Sequence, residues 1–203
     1  MAAVDRTRSP LPKTRRGQER RRLILDSAMQ VFAVQGSTRV SLTSLAAMLG
    51  MTQQGLMHYF PTKAELVISV LERRDEIDEQ HRRSLAESGL TFPELLVQRM
   101  RHHDAHREQA ALHAVLMAEC VAPEHPAHAW FAERNKRART GLTAAIAAAQ
   151  SRGEMLPDLD PEPVAARILA LFDGLALQRA LGDPGVRSAA VFEHYMRTLT
   201  PPA

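Results

Sequence analysis

Residues 41–60, SLTSLAAMLGMTQQGLMHYF, constrain the fold of this chain more than any other segment. Apolar residues recur every three or four positions on both sides of Gly50, as they do on the buried faces of helices. Gly50 tolerates the left-handed conformation that ends a helix in a sharp turn. The segment therefore predicts two short helices joined at Gly50, the arrangement of a helix-turn-helix that reads DNA. An ordinary helical hairpin is the alternative.

The rest of the chain is also predicted to be helical. Of its 203 residues, 45% are hydrophobic but only 4% are aromatic, a composition that favours helices over sheets. Ser41 and Thr52 can cap the two short helices, and Thr62 and Glu65 have the spacing of a capping box. The predicted helices fall at about 18–35, 42–49, 52–59, 62–83, 92–103, 107–121, 127–152, 162–182 and 186–199.

These elements predict an all-α fold in three parts. Residues 1–18 are expected to be a flexible basic arm, 19–65 a helix-turn-helix domain, and 66–200 a larger helical domain. Positive charge is concentrated in the first two parts, because residues 1–63 carry a net charge of +7 whereas the whole chain carries +3. Such a basic stretch beside a helix-turn-helix is typical of phosphate binding, although a solvated tail without a partner is the simpler alternative.

Residues 164–181 form a helix that is apolar on almost every side, so two of its faces must be buried. Its four polar residues argue against a membrane span. Both faces would be buried if one packed inside the domain and the other packed against a second copy across a two-fold axis. The Ala-rich run 144–149 would let the preceding helix approach closely. We therefore predict a homodimer built on helices 127–152 and 162–182, and a roughly palindromic operator.

The single cysteine, Cys120, cannot form a disulfide within the chain, which fits a reducing cytoplasm. The basic, proline-containing start has no apolar core of the kind found in signal peptides. A cytoplasmic protein is therefore expected.

The pattern of these elements resembles the TetR family of bacterial transcription regulators. Over residues 20–66 the matching residues agree with the family in their order and spacing. Beyond them the resemblance extends only to the order of helices and to short sequence motifs such as Asp173-Gly174-Leu175. It implies an N-terminal three-helix DNA-binding domain and a larger helical domain for effector binding and dimerisation. The matching residues are Ile24 to Ala28, Val31, Phe32, Gly36, Ser41, Leu45, Ala46, Gly50 to Thr52, Leu56 and His58 to Lys63.

The second helix of the motif should lie in the major groove with its polar side outward. Gln53 and Gln54 are candidates for base readout because glutamine pairs bidentately with adenine, and Met57 can contact a thymine methyl group. Gly55 either allows a close backbone approach to DNA or is merely tolerated there. Gln54, Gly55 and Met57 depart from the family's usual residues, which affects the target sequence and not the fold. The full outward set is Thr52, Gln53, Gln54, Met57 and His58.

The resemblance assigns phosphate contacts to Ser41, Thr43, His58, Tyr59 and Lys63. Ser41 and Lys63 also lie at helix N-termini, where free amides attract phosphate oxygens. The arm before the first helix is expected either to enter the adjacent minor groove or to attract the DNA backbone diffusely.

The effector-binding residues are much less visible in the sequence. The resemblance implies a largely apolar cavity inside the helical domain. Candidate lining residues are Met100, His103, Leu112, His113, Leu116, Met117, Cys120, Trp130, Phe131 and Phe172, each of which also fits an ordinary core position.

Four histidines, at 102, 103, 106 and 113, raise the question of a metal site. His102 and His106 share a helical face at a workable ligand spacing, but no carboxylate or thiolate is clearly placed to complete the site. No metal or other cofactor is therefore expected. The chain also lacks a nucleophile–base pattern or a nucleotide-binding loop, so an enzyme is not expected either.

The sequence thus predicts a homodimeric transcription regulator that represses by binding a double-stranded DNA operator and is released by a small, largely hydrophobic effector. Effector binding should tilt the fourth helix, which begins at Lys63. The two recognition helices of the dimer, one from each protomer, would then leave their spacing of roughly 34–36 Å, about one turn of DNA. The alternative is a dimeric DNA-binding regulator that has no small-molecule effector and is controlled by a protein partner.

Overall fold

The computed structural model describes residues 14–182 and 187–202, without the side chains of residues 86 and 107–110. Within these residues the chain forms nine α-helices and no strand, which confirms the predicted all-α fold. None of the helices in the described stretches is long and apolar enough to cross a membrane. The helices are α1 (Arg15–Gln35), α2 (Leu42–Met48), α3 (Gln53–Tyr59), α4 (Lys63–Ala86), α5 (Phe92–Ala105), α6 (Arg107–Glu119), α7 (His128–Ser151), α8 (Pro161–Ala180) and α9 (Ser188–Arg197).

Helix α1 begins at Arg15, earlier than the predicted start near residue 18. The side chain of Thr14 caps it by accepting a hydrogen bond from the amide of Gly17 at 3.1 Å. Residues 15–18, predicted to belong to the arm, are therefore the first turn of a helix. The remainder of the predicted arm, residues 1–13, lies outside the described residues.

The turn at Gly50 has the predicted geometry. Gly50 has a φ of 62°, its amide bonds the carbonyl of Ala47 at 3.1 Å, and the amide of Met51 bonds the carbonyl of Ala46 at 2.9 Å. This pair of bonds is a Schellman motif, which satisfies the last carbonyls of α2 and reverses the chain. Ser41 caps α2 and Thr52 caps α3, so both predicted caps are confirmed.

The capping box predicted at the start of α4 is only half formed. Thr62 accepts a hydrogen bond from the amide of Glu65, but Glu65 Oε2 is buried and makes no hydrogen bond within the described part of the chain. A reciprocal box occurs instead at Ser41 with Ser44, and at the start of α5 the carboxylate of Glu94 accepts from both the amide and the hydroxyl of Thr91.

The interior consists of two apolar cores. The first core joins α1 to α4 with one side of α6 and the start of α7, and the second joins α5, α7, α8 and α9. Large buried members of the first core are Phe32, Leu45, Leu56, Phe60, Leu66 and Leu116. Those of the second are Met100, Ile146, Met155, Ile168 and Phe192. Helix α6 therefore packs on α1, which shares the first core with the helix-turn-helix.

Candidate DNA interface and interior of the C-terminal helices

Helix α3 presents a polar face to solvent above a buried apolar anchor. Gln53, Gln54, Met57 and His58 are all exposed, whereas Leu56 is completely buried in the first core. The helical period separates the two sets, since Leu56 points inward and the others lie around the opposite side. The residues predicted to face DNA are therefore accessible, and the helix beneath them is held firmly.

A hydrogen bond from α2 orients the side chain of Gln53. The hydroxyl of Thr43 donates to Gln53 Oε1 at 2.8 Å, and Gln53 Nε2 approaches Met57 Sδ at 3.8 Å. The sequence assigned Thr43 to a phosphate contact and did not reveal its contact with Gln53, because the two residues lie on different helices. Thr43 thus orients the side chain of Gln53, which the sequence predicts to face DNA.

Thr52 and Gly55 form one local unit at the start of α3. The Thr52 hydroxyl accepts a hydrogen bond from the amide of Gly55 at 3.0 Å. A Cβ at position 55 would lie 3.1 Å from that same hydroxyl oxygen, so a larger side chain would press on the cap. The structure thereby adds a reason for Gly55 that does not involve DNA.

The predicted phosphate ligands lie on α3 itself or at the starts of α2 and α4. Ser41 is exposed at the start of α2, and Lys63, at the start of α4, donates from Nζ to the carbonyl of Thr38 at 3.0 Å. Tyr59 is half-buried against the first core, with the ring of His58 edge-on at 5.4 Å.

A basic surface cleft of about 1000 Å³ lies beside Tyr59. Its walls come mainly from the first turns of α1, which carry the positive charge noticed in the sequence. The lining residues are Thr14, Arg15, Arg16, Gly17, Glu19, Arg20, Leu23 and Tyr59. Arginines therefore lie next to Tyr59, the last residue of α3, and arginine is the side chain best suited to bidentate phosphate contact.

The effector candidates do not gather in one place. Leu112, Leu116, Met117, Cys120, Trp130 and Phe131 belong to the first core or pack against it, whereas Met100 and Phe172 belong to the second. The single cavity wall implied by the sequence is therefore divided between two packed clusters. His103 makes an edge contact with the ring of Phe172 at 5.8 Å.

His113 connects three helices through a buried polar chain. Arg74 on α4 donates from Nη1 to His113 Nδ1 at 2.9 Å, and His113 Nε2 lies 3.1 Å from Oδ1 of Asp173 on α8. Because arginine can only donate, the neutral ring of His113 carries its proton on Nε2 and donates a hydrogen bond from there to Asp173. Arg74 also pairs with Asp78 at 2.9 Å, and its side chain is only 5% exposed.

The charges of this polar chain depend on burial. Burial lowers the pKa of His113 to about 4, with the nearby charge of Arg74 acting in the same direction. Burial likewise lowers the pKa of His103 to about 3, although Asp78 works against it. The pKa of Asp78 is lowered, since the attraction of Arg74 and other cations outweighs the opposing effect of burial. At neutral pH both histidines are therefore neutral and Asp78 is ionised.

Three other histidines, His81, His102 and His106, stack on one another. His102 lies between His81 of α4 and His106, with ring centroids 3.7 Å and 4.0 Å apart. His81 is a member of this cluster that sequence reasoning missed, since it lies on another helix. Across the described residues, no three His, Cys, Asp or Glu side chains are arranged to hold a metal ion.

Helix α8 buries one apolar face and leaves another open. Val164, Ile168 and Leu175 are buried in the second core, whereas Ala170 is exposed and Leu177 is 49% exposed. On neighbouring α7 the small residues at 144, 147 and 148 are also exposed. Within the described part of the chain, this apolar strip on α7 and α8 is therefore uncovered, where the sequence predicts a second copy.

Comparison with known proteins agrees with this architecture. Residues 24–70 match the family described as bacterial regulatory proteins, tetR family, and residues 121–200 match the BetI-type transcriptional repressor C-terminal family. The HTH-type transcriptional regulator BetI of Rhizobium meliloti (strain 1021) is 26% identical over 201 residues, covering 92% of each protein. The HTH-type transcriptional regulator TtgR of Pseudomonas putida is 26% identical over 167 residues, 78% of this chain and 79% of TtgR.

A solved structure shares the fold over nearly the whole chain. The transcriptional regulator from Saccharomonospora viridis, solved in complex with choline, has a TM-score of 0.73 and 21% sequence identity, covering 89% of this chain and 94% of that one.

The fold and these matches define a helix-turn-helix transcription regulator. More specifically, the chain belongs to the TetR family of bacterial transcription regulators. This confirms the resemblance seen in residues 20–66. Members of the matched families are regulators and not enzymes, so the chain is a DNA-binding transcription regulator without an enzymatic role.

Proposed function

We propose that the chain is a homodimeric repressor that binds a palindromic operator and is released by a small-molecule effector. One observation carries the DNA-binding part: the exposed polar face of α3 stands on a buried, doubly capped framework beside a cleft lined by arginines. Residues 19–65 would read DNA, and residues 66–200 would bind the effector and dimerise.

In this proposal Gln53 and Gln54 read base edges, and Met57 contacts a thymine methyl group. The contact of Thr43 with Gln53 supports this role, because an oriented side chain loses less freedom when it binds. Thr52 and Gly55 maintain the start of the helix and its approach to the groove. Phosphate contacts come from Ser41, Thr43, His58, Tyr59 and Lys63.

The dimer would form through the open faces of α7 and α8. The exposed strip of Ala170, Leu177 and the alanines at 144, 147 and 148 is apolar, and its small side chains allow close helix packing. A two-fold axis through this strip would set the two α3 helices about one DNA turn apart, roughly 34–36 Å, which calls for a palindromic operator.

The effector is proposed to bind between the two apolar cores, near the polar chain of Arg74, His113 and Asp173. Of the candidate residues, Leu116, Met117, Cys120, Trp130 and Phe131 belong to the first core or pack against it, Met100 and Phe172 do so with the second, and His103 contacts Phe172. A largely hydrophobic effector with one polar group would suit such surroundings. Because Arg74 belongs to α4 and Asp173 to α8, the effector would shift α4 and with it the reading helices. DNA and effector would then weaken each other's binding by the same factor.

The DNA-binding proposal is tested by selecting duplexes from a random-sequence pool with the full chain. We expect a palindrome whose half-sites are about 10 base pairs apart from centre to centre. Gln54→Ala should relax the preference at one position by about 1–3 kcal/mol, and Arg20→Ala should weaken all sequences and reduce the salt slope by about 1. Gln80→Ala, which removes an exposed glutamine from α4, is the matched control. Equal binding by the Gln54 and Gln80 variants would refute base readout by α3.

The alternative is a dimeric regulator that is controlled by a protein partner and has no small-molecule effector. It is favoured by the complete burial of Leu116 and Met100 in two separate cores, which is what ordinary packing would produce. A screen of small molecules by thermal unfolding distinguishes the two. A ligand that raises Tm and weakens operator binding supports the effector proposal, whereas DNA release only by a protein supports the alternative.

A further inference from the structure

Glu119, the last residue of α6, contacts the turn between α1 and α2. Its Oε2 accepts hydrogen bonds from the amide of Ser37 at 2.9 Å and from the Ser37 hydroxyl. Its Oε1 accepts one from the amide of Thr38 at 3.1 Å. Ser37 is completely buried, so its donors depend on this carboxylate and not on water. Three donors of a single turn therefore converge on one side chain from a distant part of the chain.

The backbone of the turn is shaped around this carboxylate. Gly36 has φ 76° and ψ 159°, a region that is almost closed to other residues. A Cβ at Gly36 would lie only 2.5 Å from Glu119 Oε1. Glycine is thus needed at this position both for its backbone conformation and for the close approach of Glu119.

The position of Glu119 is unfavourable for α6 itself. A carboxylate at the C-terminal end of a helix faces the negative end of the helix dipole. Burial also tends to raise the pKa of Glu119, but the hydrogen bonds from Ser37 and Thr38 outweigh it and the pKa is lowered. The contacts with the turn, and not the helix, therefore account for an ionised glutamate at this place.

The same turn leads directly into the reading helices. Lys63, at the start of α4, donates to the carbonyl of Thr38, and Ser41 caps α2 three residues later. The turn is consequently held by α6 on one side and by α4 on the other. Further along α6, His113 contacts Arg74 and Asp173.

We propose that Glu119 is a positioning residue for DNA binding, whose carboxylate holds the α1–α2 turn, and through it α2 and α3, in the orientation that reads DNA. A displacement of α6 is then transmitted to the reading helices by a route separate from the tilt of α4. The DNA readout of this inference rests on the operator binding proposed above.

The test replaces Glu119→Gln and compares it with Glu124→Gln. Both variants lose one negative charge, but Glu124 is exposed and its side chain makes no hydrogen bond within the described residues. With the duplex selected by the unaltered chain, Glu119→Gln should bind about tenfold more weakly, as expected when a hydrogen bond to a charged group is lost. The salt slope should stay the same because no phosphate contact is removed. Glu124→Gln should bind as the unaltered chain does.

Amide hydrogen exchange of the full chain provides a readout that needs no DNA. The Ser37 and Thr38 amides should exchange about tenfold faster in Glu119→Gln and be unchanged in Glu124→Gln. If Glu119→Gln does not fold, Ser37→Ala removes one donor, keeps the carboxylate, and should give a smaller change of the same kind. Unchanged affinity, or weaker binding without faster exchange at the turn, would overturn the inference. If the unaltered chain selects no duplex, the proposed operator binding fails, while the exchange experiment still decides whether Glu119 holds the turn.

Discussion

Arg74 offers the sharpest test of the buried polar chain. Replacement Arg74→Met keeps the length of the side chain but leaves the carboxylate of Asp78, only 16% exposed, without its 2.9 Å partner. It also removes the donor to His113 Nδ1. Loss of one partner of a buried ion pair costs about 3–5 kcal/mol, a large part of the roughly 5–15 kcal/mol that stabilises a typical domain. For a chain of this length, each kcal/mol lowers Tm by about 2–4 °C. We therefore expect a fall in Tm of roughly 6–20 °C.

The pH dependence of the Tm of Arg74→Met tests whether its loss of stability comes from the unpaired carboxylate of Asp78. In the unaltered chain the pKa of Asp78 is lowered, so its contribution to stability is present above the unfolded pKa and is lost as the pH falls. Without Arg74, we expect burial to raise the folded pKa of Asp78 against the remaining opposition of His103, Arg99 and Arg134. The destabilisation then decreases as the pH falls and Asp78 takes up a proton. The difference in Tm between the two proteins should shrink from neutral to mildly acidic pH.

Thermal unfolding at matched protomer concentration measures both effects, since the Tm of a dimer depends on concentration. The control is Arg83→Met on the same helix, where the arginine is 77% exposed and, among the described residues, pairs with Glu79 alone. An exposed pair of this kind contributes about 0–1 kcal/mol. In addition, Arg74→Met combined with Asp78→Asn should recover part of the loss. Equal Tm changes for the Arg74 and Arg83 variants, or no recovery in the double variant, would show that the buried pair does not have the role assigned to it.

Three further predictions concern the turn, the dimer and the thiol. Gly36→Ala should lower Tm more than Gly50→Ala, because both carry backbone strain of about 1–3 kcal/mol but only position 36 also meets Glu119; equal losses would contradict the close approach. Leu177→Glu should yield monomers in sedimentation velocity, whereas Val34→Glu, on exposed α1 surface, should not; a persistent dimer would move the interface elsewhere. Burial, and then the charge of Glu119, raise the pKa of Cys120 to about 11. A thiol reagent near neutral pH should therefore react with Cys120 only as the chain unfolds. Rapid reaction in the folded state would contradict this burial.

The helix-turn-helix could be predicted from the sequence because its determinants are local. The caps at Ser41 and Thr52 and the turn at Gly50 each involve residues within five positions of one another. The early start of α1 was missed because Thr14 has Gly17, and not a glutamate, three positions later, so no capping box marks the helix start. At Thr62 the box pattern is present in the sequence, yet Glu65 does not complete it.

The contacts of the interior could not be predicted, because they join residues that are far apart in the chain. Glu119 lies 82 positions from Ser37, and His113 lies 39 positions from Arg74 and 60 from Asp173. Arg74 in particular resembles a residue of a solvated charged face, since it stands in the run ERRDE. Only tertiary packing makes it a buried donor, and no periodicity in the sequence carries that information.

The first core shows why the two functional parts of the chain are mechanically connected. Leu112 and Leu116 of α6, Cys120 directly after it and Phe131 of α7 share one buried core with residues of α1 to α4. The boundary proposed after residue 65 therefore divides functions but not packing. Separating the parts would expose these side chains at about 25 cal/mol for each Å² of apolar surface, so a large hinge motion between them is unfavourable. A small displacement of α6 keeps the core buried but still changes the α1–α2 turn through Glu119. Packing of this kind favours a regulator that responds by shifting helices within a shared core, and not by swinging two independent domains apart.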